Sequence, residues 1–271
     1  MGACTRRQSG QAREVREGLA TTLLLSISIG CAGCSSTSES SVSDPAPSPN
    51  AAARPAPLTE LEPTPEPAPA PGTFEGRELA QTMSHLGAPW LTRAERDAEE
   101  NTSLLHERLA LTPGQVACDL GAGNGYHTLL MAEAVGEQGQ VIASDLQPQM
   151  LELLAARARA AGLDNIRTVL ASPGAPALPS AGCDLILLVD VYHEFAEPER
   201  MLEAMRAALS ERGRVALVEY REEDPEVPIK ALHKMSKQQI LREYLPRGFS
   251  LVEEFDGLPW QHLMFFAASG S

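Results

Sequence analysis

"CDLGAGNGYHTLL" (residues 118–130) decides how this chain is read. Gly121, Gly123 and Gly125 stand at alternate positions, with Ala122 among them, directly behind Asp119. An apolar run precedes the loop and a helix-like spacing follows it. Glycines in such a strand-to-helix loop let the backbone approach a ligand and take positive φ angles. A dinucleotide site asks for G-x-G-x-x-G, so that a helix N-terminus faces a pyrophosphate. Here the third glycine comes one residue early. The Asp119 carboxylate would repel a pyrophosphate and attract a ligand carrying an ammonium group. Asp145 follows 26 positions later (145 − 119) at the end of the next strand, where it can accept hydrogen bonds from ribose hydroxyls.

Outward from this loop the chain alternates apolar runs with amphipathic stretches. "LLHERLAL" (104–111) reads as a helix stopped by Pro113-Gly114, and "QVACDL" (115–120) as a short buried strand. Tyr126–Val135 reads as a helix that Gly136 can cap. "VIASD" (141–145) is a strand. Pro148 suits the first turn of a helix with face Leu151, Leu154, Ala155 and Ala158, and Gly162 ends it. "IRTVL" (166–170) and the continuously apolar "CDLILLVD" (183–190) are strands of the kind a parallel sheet buries. A helix carrying Met201, Leu202, Met205 and Leu209 leads to strand "RVALVEY" (214–220). The tail breaks the pattern: "FSLVEEF" and "QHLMFFAA" flank Asp256-Gly257-Leu258-Pro259 and read as two antiparallel strands at the sheet edge. The order predicts an α/β fold, a parallel sheet with helices on both faces.

Five strand–helix units, a closing hairpin and "DLGAGNG" after the first strand resemble the class I S-adenosylmethionine-dependent methyltransferases, over about residues 105–268. The stretch "VDVYHEFAEPERML…GRVALVEYREEDPEVPIKALHKM" also resembles a bacterial group of predicted small-molecule methyltransferases. The resemblance implies a Rossmann-like sheet of seven strands in the order 3-2-1-4-5-7-6, with S-adenosyl-L-methionine as cofactor. It implies cofactor contacts from Asp119, the glycine loop and Asp145, from Leu146 and Ser172 beside the adenine, and from Asp190 after the fourth strand. Related chains often carry an acidic residue where Ser172-Pro173 stands.

The methyl acceptor is expected beyond the fourth and fifth strands. In "DVYHEF", His193 titrates near neutrality and can serve as a general base, with Glu194 orienting it. The plainer reading has His193 and Glu194 only begin a helix. Glu219 lies on the same rim, and "PIKALHKM" adds Lys230, His233 and Lys234, as pocket cations or as a solvated loop. His193, Glu219 and His233 follow no known metal-ligand spacing, and no metal is expected. The Pro-Pro-aromatic signature of amino-directed methyltransferases does not follow the fourth strand, which favours a small-molecule acceptor. Residues 78–100 are expected to fold over the cofactor as helices, with Met83, His85 and Trp90 lining the acceptor pocket or Trp90 in the core.

The net charge of −14 (22 basic against 36 acidic residues) disfavours nucleic acid as a partner. Cys118 and Cys183 read as small buried residues, and the five cysteines suggest neither a disulfide framework nor a zinc spacing. Arg6, Arg7, Arg13 and Arg16 precede an apolar stretch, Leu19–Ile29, that ends in "SISIGCAGCSS". That resembles a lipoprotein signal with Cys31 or Cys34 as the lipidated residue; a cleaved signal or an overlong gene start is the alternative. Ten prolines among residues 42–71 predict an extended spacer.

The expected organisation is a signal segment at 1–34, a Pro/Ala/Ser-rich linker at 35–72, and a methyltransferase domain at 73–271. Within that domain, 73–110 form a helical cap and 111–271 the core. Lipid anchorage in a bacterial envelope is the expected location, or the cytoplasm if the leader is not used. The alternative function is a non-catalytic lipoprotein that retains the fold as a ligand-binding module.

Overall fold

The computed structural model describes residues 72–270. The signal and spacer readings, with Cys31 and Cys34, lie outside them. A short antiparallel hairpin, β1 (Thr73–Phe74) and β2 (Arg77–Glu78), opens the described chain. A 3-10 helix follows at His85–Thr92, then α1 (Arg96–Glu100) and α2 (Thr102–Leu109). This differs from the helical cap expected. Pro89 lies inside the first of these segments and lacks the N–H that an α-helix ladder needs.

From there strands and helices alternate: β3 (Val116–Leu120), α3 (Tyr126–Val135), β4 (Gln140–Asp145), α4 (Pro148–Ala161), β5 (Ile166–Leu170), β6 (Cys183–Val189) and α5 (Pro198–Ala208). β7 (Leu209–Tyr220), α6 (Lys237–Tyr244), β8 (Phe249–Phe255) and β9 (Gln261–Ala268) complete the fold. Gly136 and Gly162 cap α3 and α4, both with positive φ. Leu209 departs from the expectation. Its ψ of 134° takes the chain out of α5, so it opens β7 instead of closing the helix face.

The large sheet runs β5-β4-β3-β6-β7-β9-β8. Counted from its own first strand, this is the order 3-2-1-4-5-7-6. β3, β4, β5, β6 and β7 are mutually parallel, and the β8–β9 hairpin is antiparallel. β6 shows why its sequence lacks alternation. Ile186 and Leu188 pack into one cluster with Met201, Leu202 and Met205 of α5. Leu185 and Leu187 pack on the opposite face with Leu105, Leu109 and Met131. Both faces are covered, so Leu185–Val189 are apolar without alternation, while Asp184 near the strand's start accepts from Val116 N–H and Ser210 Oγ. Each such side chain contributes about 1.5–3 kcal/mol on burial.

Cys118 and Cys183 are both fully buried, as expected, but they form a disulfide between the neighbouring strands β3 and β6. They stand 65 positions apart, so nothing local in the sequence signals the pair.

β3 reverses the direction of sheet growth: the chain builds outward to β4 and β5, then returns to place β6 on the other side. A ligand crevice forms at the carboxyl ends of the strands beside such a switch point.

Candidate functional site

A cavity of about 650 Å³ opens at the carboxyl ends of β3, β4, β6 and β7. That is within the range of small-molecule sites. Its floor is the glycine loop. Gly121 has φ +75°, and a Cβ there would overlap Cγ2 of Val191. Gly123, at φ +53°, has Leu91 Cδ1 only 2.8 Å from where a Cβ would sit. Gly121 is held to glycine by its φ and by Val191, and Gly123 chiefly by its φ, since the tip of Leu91 can shift. Gly121 and Gly123 lie on the cavity wall; Ala122 and Gly125 are not among its lining residues.

Asp145 ends β4 at the cavity edge. Its Oδ2 accepts from Gly123 N–H and its Oδ1 from Gln147 N–H, both at 2.8 Å. Burial raises its pKa against these two bonds. Leu146, Gln147 and Ser172 line the adjoining wall, and Ser172 makes a backbone bridge to Ala175. Asp119 is placed differently from the expectation that it faces the ligand. It is buried behind the loop, outside the cavity wall, and accepts from Thr128 Oγ1 at 2.5 Å. Burial raises it to about 6, with the Thr128 bond pulling the other way and Asp145 adding to the rise.

Asp190 follows β6 with φ +51°, a conformation a non-glycine residue adopts only under constraint. Its Oδ2 accepts from Gln261 Nε2 at 2.7 Å. Its Oδ1 is buried with no hydrogen-bond partner among the described residues. Burial pushes its pKa well up, and Glu100 and Glu219 push it further. An orphaned acceptor at the rim of the glycine loop suits a cationic ligand such as the ammonium of S-adenosylmethionine. With the anchored Asp145 carboxylate on the same cavity wall, the residues present fit that cofactor.

The other half of the cavity is built by β6, β7 and the N-terminal segment. His193 is buried on a 3-10 turn, Tyr192–Glu194, and its Nδ1 lies 2.6 Å from Glu219 Oε2. Glu219 Oε1 also accepts from His193 N–H at 3.2 Å. On the other edge of the ring, Nε2 is 3.1 Å from Nδ1 of His233. Burial lowers the pKa of His193, but the Glu219 charge and hydrogen bond outweigh it and the net shift is upward. Burial raises Glu194 to about 7, opposed by His193 and by Met83 N–H, which donates to its Oε2. His193, Glu194 and His233 all line the cavity, as does Lys230. Glu219 lies behind His193, and Lys234 turns away to donate to the carbonyl of Asp224.

The N-terminal segment roofs this space. Met83 and Trp90 line the cavity, and Trp90 is 48% exposed, so it is not core. Its ring carries the Arg93 guanidinium at 3.8 Å. His85 is not on the wall; its N–H donates to Gln147 Oε1, and Gln147 Nε2 donates to the Met83 carbonyl. Arg96 and Glu100 are buried wall residues held by an ion pair at 2.7 Å. Arg96 also donates to His127 Nε2 at 3.1 Å, whose Nδ1 faces His106 Nε2 at 3.1 Å. Sequence reasoning passed over Arg96, Glu100 and Gln147. Residues 78–100 are expected over the cofactor, but within "RAERDAEE" nothing local separates the inward Arg96 and Glu100 from their charged neighbours.

The sheet order, the glycine floor and the paired acids together define an S-adenosylmethionine-dependent methyltransferase. A family model described as "Methyltransferase domain" matches residues 111–254, and the chain belongs to that family. It is 29% identical over 150 residues to a protein-L-isoaspartate O-methyltransferase of Ignicoccus hospitalis, covering 55% of this chain and 67% of that one. It is 31% identical over 108 residues to the ubiquinone/menaquinone biosynthesis C-methyltransferase of Citrobacter koseri, covering 40% and 43%. Among the isoaspartate methyltransferases it matches, the chain spans 67%, 54% and 33% of three. A crystal structure of an S-adenosylmethionine-dependent methyltransferase from Aquifex aeolicus shares the fold, with a TM-score of 0.64, 18% identity, and coverage of 68% of this chain and 98% of that one.

Proposed function

We propose that this methyltransferase acts on a small, largely apolar acceptor enclosed between the β6–β7 rim and the N-terminal roof. The observation that supports this is the roof itself. Met83, Trp90 and Leu91 form part of the cavity wall, and Gln147 and Glu194 bind the roof's backbone.

When bound, S-adenosylmethionine supplies a methyl carbon made electrophilic by its sulfonium. The chain must then hold the acceptor in line and dispose of its proton. Asp145 is assigned to the ribose hydroxyls, Leu146 and Ser172 to the adenine, and Asp190 to the ammonium. Asp119 acts from behind the loop through its charge. His193, Glu194 and His233 converge where the acceptor's nucleophilic atom belongs, and Glu219 positions the His193 ring.

Calorimetric titration with S-adenosylmethionine tests the cofactor half; undiminished binding by Asp145→Ala counts against it. Release of S-adenosylhomocysteine with a panel of hydroxyl and thiol compounds tests the acceptor half. Turnover on an isoaspartyl peptide alone overturns the small-molecule reading.

We also propose an envelope location, lipid-anchored at Cys31 or Cys34. The Cys118–Cys183 disulfide supports it, since such bonds persist in oxidising compartments. No described helix is long and apolar enough to cross a membrane. Mass spectrometry of the mature N-terminus decides it: an unmodified Met1 sinks the anchor.

A further inference from the structure

We propose that His193, Glu194 and His233 form a binding site for a divalent transition ion of the zinc class, with one coordination position open to the cavity. The proposal rests on the reading above of which half of the cavity takes the acceptor, and names how that half activates it.

One nitrogen from each imidazole and one oxygen of Glu194 lie within 4.8 Å of one another. His193 Nε2 is 3.1 Å from His233 Nδ1 and 3.9 Å from Glu194 Oε1. Ligands held at about 2.0–2.2 Å in a tetrahedron sit roughly 3.3–3.5 Å apart. These two separations bracket that value and the His233–Glu194 pair lies within 4.8 Å, so side-chain rotations bring three ligands onto one ion.

The surroundings prepare these atoms as lone-pair donors. Glu219 is fully buried and takes the Nδ1–H of His193, which fixes the tautomer and turns the Nε2 lone pair toward the cluster. A carboxylate behind a histidine ligand is the usual outer support of a metal site. Met83 N–H binds Oε2 of Glu194 and leaves Oε1 for the ion. Lys230 on the same wall opposes a cation, and the carboxylates of Glu194 and Glu219 outnumber it.

Two imidazoles and one carboxylate with an open position make a catalytic set, not a closed structural one. The acceptor class that follows is a compound with an ionisable hydroxyl or thiol. Coordination breaks its O–H or S–H bond, and the proton passes to bulk water. The new bond to the methyl carbon then forms as the sulfonium's own bond to that carbon breaks. The ion's oxidation state does not change.

The test uses the full chain, stripped of metal with a chelator and titrated with cobalt(II) chloride. Visible absorption reports coordination, and zinc chloride calorimetry gives the stoichiometry. The expected result is one ion per chain with the visible bands of a four-coordinate cobalt site. Affinity should fall about 100-fold in His233→Ala and in Glu194→Gln, and about 10–100-fold in Glu219→Gln. His233 is half-buried, so its replacement leaves the fold intact. No saturable binding by the wild type overturns the proposal. So does unchanged binding by His233→Ala, which would place the ion elsewhere, for example on Cys31 and Cys34. A parallel S-adenosylmethionine titration separates the two readings. Loss of cofactor binding with His233-dependent cobalt binding intact overturns the methyl-transfer reading and upholds the ion site.

Discussion

His193 and Glu219 meet at 2.6 Å inside the protein although they stand 26 positions apart. The contact exists because β6 and β7 are parallel neighbours, which brings the turn after one strand against the last residues of the other. It commits one edge of the imidazole to Glu219 and turns the other toward the cavity, where it meets His233.

Replacing Glu219 with Gln should therefore damage turnover more than cofactor binding. We expect kcat to fall about 10²-fold, as for loss of a positioned acid–base or ligand-orienting partner. S-adenosylmethionine affinity should stay within about twofold. Steady-state kinetics beside calorimetry checks the split; an equal loss in both would show that Glu219 supports the fold generally.

Gly121→Ala tests the floor of the cavity. The positive φ costs roughly 1–2 kcal/mol for alanine, and overlap with Val191 adds to it. We expect about 2–3 kcal/mol of lost stability by urea unfolding. Adding Val191→Ala should relieve the overlap and recover about half, because the backbone strain remains. Full recovery would show that φ contributes nothing.

Asp119 makes stability depend on pH with a definite sign. Its folded pKa, about 6, lies above the ordinary 3.8, so the folded state holds the proton more tightly. The group's stabilising contribution is present below about pH 4 and lost as pH rises through 6. Asp119→Asn keeps an acceptor for Thr128 and removes the buried charge. It should raise stability at pH 7 by up to about 3 kcal/mol and flatten the melting profile between pH 4 and 6. Cofactor affinity should drop in the same variant. A variant no more stable than the wild type at pH 7 would mean that Asp119 is already neutral or well solvated.

The Cys118–Cys183 bond closes a 65-residue separation. Chain entropy predicts a loss of about 4 kcal/mol on its removal. Thermal melts with and without reductant, and of Cys118→Ala/Cys183→Ala, measure it. Identical melts would mean the two thiols merely pack.

Much of this was legible along the chain because it is local. Gly136 and Gly162 stop helices by their own φ angles, and Pro148 starts one by its ring. The apolar run 185–189 reads as a buried parallel strand without knowledge of its neighbours. Leu209 was misread because an apolar residue at helical spacing can equally begin a strand; only its ψ distinguishes them.

The sequence by itself determined the order of strands and helices, the glycine floor and the acids at the strand ends. Each of those follows from periodicity or from one residue's backbone preference. Tertiary structure alone decided that Asp119 turns inward to Thr128, that Cys118 bonds Cys183, and that His233 joins His193 and Glu194. Those facts depend on which distant segments the sheet order sets side by side. Burial and contact across 40 or 65 residues are properties of packing, which no local pattern encodes.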